Sequence, residues 1–154
     1  MRRLSLLLAL TFFALAPEAV AMIQIDRGIA GARLGSSRAE VRAALGTPSR
    51  TASGTNEFGP WVRYTFAGGI RVFFQGRETV TSVETTGLGD RTSRGVGVAS
   101  SESAVRKRVP GVTCETFESI RSCHTSDLAP GRRVTDFRIV NGKVDRVTVG
   151  IVID

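Results

Sequence analysis

One phrase occurs twice in this chain of 154 residues, and the repetition limits the folds that the sequence can adopt. The stretch 34–46 reads LGSSRAEVRAALG, and the stretch 98–110 reads VASSESAVRKRVP. The two copies align at an offset of 64 residues, at which position 31 corresponds to position 95. The identical residues are Gly31 and Gly95, Ser36-Ser37 and Ser100-Ser101, and Val41-Arg42 and Val105-Arg106. We therefore predict a fold that is built from two equivalent halves.

Each copy of the phrase carries the signals of a short helix. In the first copy, Ser37 and Glu40 form the pattern of a capping box, and Gly46 is a residue suited to end the helix. In the second copy, Ser101 is the predicted N-cap. Helices of two to three turns are not stable by themselves, so both must pack against another element.

Alternating apolar and polar residues after each helix predict three strands in each half. The predicted strands are 61–66, 70–75 and 79–86 in the first half, after a polar loop at 49–60, and 120–125, 133–140 and 143–153 in the second half. Asn141-Gly142 is a typical two-residue hairpin turn between the last two.

We therefore expect an α+β fold made of two tandem repeats, 22–86 and 96–154, with a linker at 87–95. Each repeat would be a short helical entry followed by a three-stranded antiparallel meander. The two repeats would together form one curved sheet that is backed by the helices.

The first residues predict export. Arg2 and Arg3 precede an apolar run at 4–16, and Ala19 and Ala21 fit the small-residue positions of a cleavage site. Residues 1–21 are therefore predicted to be a signal peptide, with a retained membrane anchor as the less favoured alternative because the run is short for a span. No cysteine is present near the cleavage site for lipid attachment. The mature chain is expected in the periplasm or the medium, without a transmembrane segment.

The net charge narrows the classes of expected binding partner, and the cysteines predict a disulfide. A formal net charge of +7 favours acidic proteins, anionic lipid or acidic polysaccharide, and export argues against nucleic acid. Cys114 and Cys123 are an even pair in an exported chain, which predicts a disulfide between them.

The sequence contains no pattern that is typical of an active site. His124 is the only histidine and follows Cys123 directly, so on a strand the two side chains point to opposite faces and the histidine cannot activate the thiol. One histidine and two cysteines are too few for a zinc site. We expect no cofactor, no metal and no enzymatic activity.

The strand alternation also predicts a binding face. Aromatic and arginine side chains fall on the sheet face that the helices do not cover, and this composition is typical of the centres of protein interfaces. The predicted binding face consists of Trp61, Arg63, Arg71, Phe73, Arg138 and Arg146. In the alternative interpretation, the loop at 49–60 folds over Trp61 and makes it part of the core.

The repeated motif resembles a known family. The pattern G-x-x-L-G-x-S-x-x-E-V-x-x-x-L-G-x-P at 31–48 is similar to the repeat of the β-lactamase inhibitor protein (BLIP) superfamily, as is the second copy with PGVTCETFESIRSC at 110–123. The same helical entry occurs in outer-membrane assembly lipoproteins of the BamE/SmpA type. The resemblance implies tandem repeats in a helix-backed curved sheet whose open face binds a protein. The inhibitor's contact loops have no matching residues here.

These observations together predict an exported, non-enzymatic module that binds an unknown protein partner, with an inhibitor-like role as the resemblance implies. A periplasmic envelope-assembly or scaffold component is the alternative. An enzyme on the same scaffold is the third possibility.

Overall fold

The described part of the chain forms two β-sheets and two short helices. The structure, a computed structural model, describes residues 22–76 and 78–153, so the predicted signal peptide lies outside the described residues. The strands are β1 (Met22–Gln24), β2 (Gly28–Ile29), β3 (Ala32–Arg33), β4 (Arg50–Asn56), β5 (Gly59–Thr65), β6 (Ile70–Gln75), β7 (Ser82–Thr85), β8 (Arg91–Thr92), β9 (Thr113–Phe117), β10 (Ile120–His124), β11 (Arg133–Val140) and β12 (Lys143–Ile151). The helices are α1 (Arg38–Leu45) and α2 (Glu102–Arg108), and a 3₁₀ turn spans Ala67–Gly69.

The large sheet has eight antiparallel strands in the order β4-β5-β6-β7-β12-β11-β10-β9. Each half of the chain supplies four consecutive strands after its helix. The last strands of the halves, β7 and β12, pair side by side in the middle, where Val149 lies opposite Val83. The order of elements thus repeats along the chain, while the repeat boundaries 22–86 and 96–154 stay a prediction.

Both helices begin at the predicted serines. The hydroxyl of Ser37 accepts a hydrogen bond from the Glu40 backbone N–H, and the Glu40 carboxylate accepts one from the Ser37 N–H, which completes the capping box. At α2, the Ser101 hydroxyl accepts a hydrogen bond from the Ala104 backbone N–H, without a reciprocal carboxylate contact from Ala104. Each helix buries one valine completely, Val41 in α1 and Val105 in α2. The helix signals of the sequence are therefore confirmed.

A small mixed sheet, in the order β3-β2-β1-β8, lies beside the helices. Strand β1 pairs antiparallel with β2 and parallel with β8, so it joins the segments that precede the two helices. Glycines in and beside the small sheet permit close backbone contact. A Cβ atom at Gly28 would lie 2.0 Å from the Ala32 carbonyl oxygen. A Cβ atom at Gly97 would lie equally close to the Asp90 carbonyl oxygen, at 2.0 Å.

One hydrophobic core lies between the large sheet and the layer formed by the helices and the small sheet. Its largest fully buried side chains include Phe74 from the first half, Phe137 from the second half, and Ile23 and Ile29 from the small sheet. Because these side chains belong to a single cluster, the two halves are packed as one unit.

The predicted fold class, an α+β fold of two BLIP-like repeats in a helix-backed sheet, is wrong. The structure is mostly β, since each half contains a strand that the sequence analysis omitted, β4 at 50–56 and β9 at 113–117. The predicted linker at 87–95 contains β8. The helices have only 8 and 7 residues, and the small sheet supplies part of the layer that was assigned to them.

The disulfide between Cys114 and Cys123 is confirmed. The two residues lie directly opposite each other on β9 and β10, with a Cα–Cα distance of 3.9 Å. Glu102 lies close to both sulfur atoms, but sulfurs that are bonded to each other offer no thiolate to a metal. The disulfide is consistent with secretion. Neither of the α-helices that the structure describes could span a lipid bilayer.

Candidate binding face

The large sheet turns one face toward the core and the other, here called the outer face, away from the helices. Strand pairing places Arg63 opposite Phe73 and Arg138 opposite Arg146 on the outer face. Trp61 and Arg71 lie on the same face, two residues along their strands from Arg63 and Phe73. All six predicted binding residues therefore share this face, and each of them is partly buried.

Trp61 is half-buried against the neighbouring strand. The predicted loop at 49–60 is wrong for most of its length, because 50–56 forms β4 and pairs in register with β5. Gly54 lies directly opposite Trp61, and a Cβ atom on Gly54 would lie 2.9 Å from Cζ2 of the indole. The indole thus lies across the backbone of β4 and does not sit beneath a loop.

Arg63 is held against an aromatic ring. Its guanidinium carbon lies 5.6 Å from the centre of the Phe73 ring, a cation–π geometry between directly opposite residues. The Nε of Arg63 is buried and has no hydrogen-bond acceptor among the described residues. We call Trp61, Arg63 and Phe73 the aromatic patch.

Arg71 and Arg146 share one carboxylate. Glu84, which is only 8% exposed, lies on β7 between them. Its Oε1 is 2.5 Å from Nη2 of Arg71, and its Oε2 accepts a hydrogen bond of 2.9 Å from Nη1 of Arg146. The shared carboxylate joins the two halves of the sheet and partly neutralises both arginines.

Arg138 has its own carboxylate partner. Its Nε donates a 2.8 Å hydrogen bond to Oδ1 of Asp145, and its Nη2 donates to the other carboxylate oxygen. The Arg138 guanidinium lowers the pKa of the Asp145 carboxyl below its usual range, and Asp145 in turn raises the pKa of Arg138. This arginine is therefore largely engaged inside the protein.

Two further titratable groups lie on the outer face of the second half. Burial raises the pKa of Asp136, although the Ser122 hydrogen bond and the nearby cations act in the opposite direction. His124 lies opposite Asp136 and is buried. Its Nδ1 donates to the Ser126 carbonyl oxygen at 2.7 Å, and its Nε2 lies 3.0 Å from Glu115 Oε1. Both ring nitrogens are engaged, so the imidazole has no free nitrogen to act as a base.

The outer face thus contains two different regions. In the aromatic patch, the Arg63 guanidinium stacks on Phe73 and has no carboxylate partner among the described residues. Around Glu84, Asp136 and Asp145, the arginines are paired. The sequence analysis missed Arg50, which lies on the outer face opposite Thr65, because the segment was read as a loop. It also missed Glu84, although the alternation in 79–86 places this residue on the same face as the arginines.

Comparisons with known proteins show similarity in fold alone. No family model matches the sequence, and no curated protein matches it. The uncharacterised protein YfeY of Escherichia coli is similar in structure over 81% of this chain and 97% of its own, with a TM-score of 0.54 at 13% identity. None of the structures described here is named as a β-lactamase inhibitor or an assembly lipoprotein.

A secretory protein and an extracellular protein are similar to this chain over about the same share of its length. A cysteine-rich secretory protein of Staphylococcus aureus (SAV1118) has a TM-score of 0.50, 13% identity and 77% coverage of this chain. An extracellular protein of Bacillus anthracis that contains an SCP domain has a TM-score of 0.50, 14% identity and 77% coverage. The matching region spans 44% of each of these two proteins.

Proposed function

We propose that this chain is an exported, non-enzymatic binding protein that docks an acidic protein surface on its aromatic patch. One observation carries the proposal. Strands β4, β5 and β6 contain no acidic residue, while their outer face presents Trp61, Phe73 and arginines. A partner with carboxylates around an apolar centre would be complementary to this region in both charge and composition.

The side chains of the patch are held in place before any partner arrives. The Trp61 indole lies against the backbone at Gly54, and the Arg63 guanidinium stacks on Phe73. Less side-chain freedom is lost on binding when the contacting groups are already ordered, so more of the contact energy contributes to affinity. Trp and Arg are also the residues that most often dominate the binding energy of protein interfaces.

Export is supported by three observations. The sequence predicts a signal peptide at 1–21, the structure contains a disulfide, and two proteins of similar fold are described as secretory or extracellular. Disulfides persist in oxidising compartments, so the Cys114–Cys123 bond fits the periplasm or the medium.

The test begins with identification of the partner by site-specific crosslinking. A photoreactive residue at Ala52, which lies opposite Arg63 on the outer face, would label the protein that occupies the patch in exported material. Affinity for the purified partner is then measured for the wild type and for Trp61→Ala. We expect the variant to bind about thirtyfold more weakly or worse, which corresponds to a loss of about 2 kcal/mol.

Phe117→Ala is the matched control. Phe117 is 71% exposed and lies on the outer face at the far end of the sheet, so its loss removes an aromatic ring without touching the patch. This control should bind within about threefold of the wild type, a change expected of residues outside the energetic centre. A Trp61→Ala protein that is stable and binds normally contradicts the proposal. So does one that melts tens of degrees early, since Trp61 would then act in folding.

A further inference from the structure

A shallow depression next to the aromatic patch is lined by three arginines, and we propose that it is a binding site for an oxyanion, a carboxylate or a phosphate group. Its volume is about 300 Å³. The lining residues are Arg50, Arg63, Thr65, Gly69, Arg71 and Thr86. We call it the arginine depression.

The strand register brings the arginines together. Thr65 on β5 lies directly opposite Arg50 on β4 and directly opposite Arg71 on β6. Arg63 lies two residues before Thr65 on the same strand, and therefore on the same face. Neighbouring strands are about 4.8 Å apart, so long guanidinium side chains from three adjacent strands can reach one bound group. Thr65 also lines the depression.

The positive charge of the depression is only partly neutralised inside the protein. Among the described residues, no carboxylate lies within ion-pair distance of Arg50 or Arg63. Arg71 contacts Glu84, but that carboxylate is shared with Arg146. The depression thus combines three cations with one carboxylate that is shared with an arginine outside it. An incoming oxyanion would supply the missing negative charge and would accept hydrogen bonds from the guanidinium Nη groups.

The geometry of the donors favours an oxyanion over other ligands. A guanidinium offers parallel N–H groups that match the two oxygens of a carboxylate or the oxygens of a phosphate. Arg63 is oriented by Phe73, and Arg71 is oriented by Glu84, so two of the three forks are already positioned. The assignment of this group to a carboxylate of the docked partner rests on the proposed function. The oxyanion site itself does not.

A second group of three arginines in the same protein provides a control. Arg27, Arg33 and Arg133 line another depression, of about 310 Å³, beside the small sheet. All three are exposed, and among the described residues none is held by an aromatic ring or a carboxylate. The two depressions therefore have the same arginine count but differ in how firmly the guanidinium groups are positioned.

The experiment titrates the purified protein at constant ionic strength with inorganic phosphate and, separately, with acetylated tri-glutamate. NMR signals of the arginine Nε–H groups report on each guanidinium. We expect saturable shifts of the Arg63 and Arg71 signals. Arg63→Gln should raise the dissociation constant at least about tenfold, because a charge-assisted contact is lost. Arg50→Gln, at an exposed position on the edge strand, should weaken binding too and serves as the variant least able to disturb folding.

Arg33→Gln removes the same charge from the other depression and should leave the dissociation constant within about twofold. Equal weakening by Arg33→Gln and Arg63→Gln would overturn the proposal, since attraction to net charge alone would explain it. Shifts that grow linearly without saturation would also overturn it. Saturation with phosphate but not with tri-glutamate would support the oxyanion site and overturn its assignment to a partner carboxylate.

The titration requires no partner protein, so its outcome is independent of the proposed docking function. If the protein binds no oxyanion but Trp61→Ala loses affinity for the partner, the docking proposal is supported and the oxyanion site is contradicted. If the protein binds an oxyanion but Trp61→Ala keeps normal affinity for the partner, the oxyanion site is supported and the docking proposal is contradicted.

Discussion

The two halves of the large sheet share a plan of one helix and four antiparallel strands, yet they present different outer faces. In the first half, strands β4 to β6 carry arginines and aromatic rings without any acidic residue. In the second half, Arg138 pairs with Asp145, and Arg146 pairs with Glu84 of the first half. Among the described residues, Arg50 and Arg63 of the first half therefore have no ionic partner, and Arg71 shares its partner, Glu84, with Arg146. The outer-face arginines of the second half are both paired within the protein.

The core-facing sides of the two halves do not differ in this way. Phe74 and Phe137 are both fully buried, and both helices bury a valine. The repeated plan thus supplies the apolar layer that folding requires, while the outer face is free of that requirement. Since charged groups without partners do little for stability, their concentration in one half is the reason to place the binding site there.

The largest expected effect tests whether the halves are one cooperative unit. Phe137→Ala and Phe74→Ala should each lower the free energy of unfolding by about 3–5 kcal/mol, because each leaves a cavity in a shared core. Trp61, the only tryptophan, lies in the first half and reports on it by fluorescence. In Phe137→Ala, the fluorescence transition in urea should move together with the circular dichroism transition.

Separate transitions in Phe137→Ala would contradict the single core. If the tryptophan signal kept its wild-type midpoint while part of the circular dichroism signal was lost early, the halves would unfold independently. The comparison between them would then concern two domains.

The next largest effect concerns the disulfide, which only the second half contains. Replacement of both Cys114 and Cys123 by alanine should lower the free energy of unfolding by about 2–3 kcal/mol, because the short loop between them is no longer closed in the unfolded chain. Urea denaturation compares the variant with the oxidised wild type, and the reduced wild type is the control. An unchanged midpoint would show that β9 and β10 are held by strand pairing alone.

Local signals in the sequence were sufficient to predict the helices and most strands, but not the edges of the sheet. The capping box at Ser37 and the turn at Asn141-Gly142 depend only on neighbouring residues, and both are present. Strands β4 and β9 read RTASGTN and TCETF and are largely exposed, because each lies at an edge of the large sheet. A strand that buries little on either face shows no apolar alternation, and the predicted fold class failed for this reason.

The sequence was sufficient to predict which residues of the candidate site share a face of the sheet. It was not sufficient to predict their ion pairs. Alternation along β5 and β6 is a local property, so the shared face of Trp61, Arg63 and Phe73 follows from the sequence. The pairing of Arg146 with Glu84 joins residues 62 positions apart, and it depends on β7 and β12 being neighbours. Which arginines are neutralised, and hence which part of the face is free to bind, required the strand order.

The smallest expected effect is a pH dependence at Asp136, in the neutralised half. Burial raises the pKa of this carboxyl above its usual range. The folded protein then binds more protons than the unfolded chain between the ordinary and the raised pKa, so the contribution of Asp136 to stability falls as pH rises through that window. Asp136→Asn cannot ionise and should lack this decline. The variant should gain about 1 kcal/mol or less relative to the wild type on the neutral side, since the group is partly solvated.

Asp145→Asn is the matched control, because it predicts the opposite sign. The pKa of Asp145 is lowered by Arg138, so its contribution is present above the unfolded pKa and is lost as pH falls through the folded pKa. Urea denaturation across the acidic to neutral range should show Asp136→Asn diverging upward from the wild type with rising pH and Asp145→Asn diverging downward. If both variants followed curves parallel to the wild type, neither carboxyl would differ in pKa between the folded and unfolded states. The outer face of the second half would then be no more firmly neutralised than that of the first.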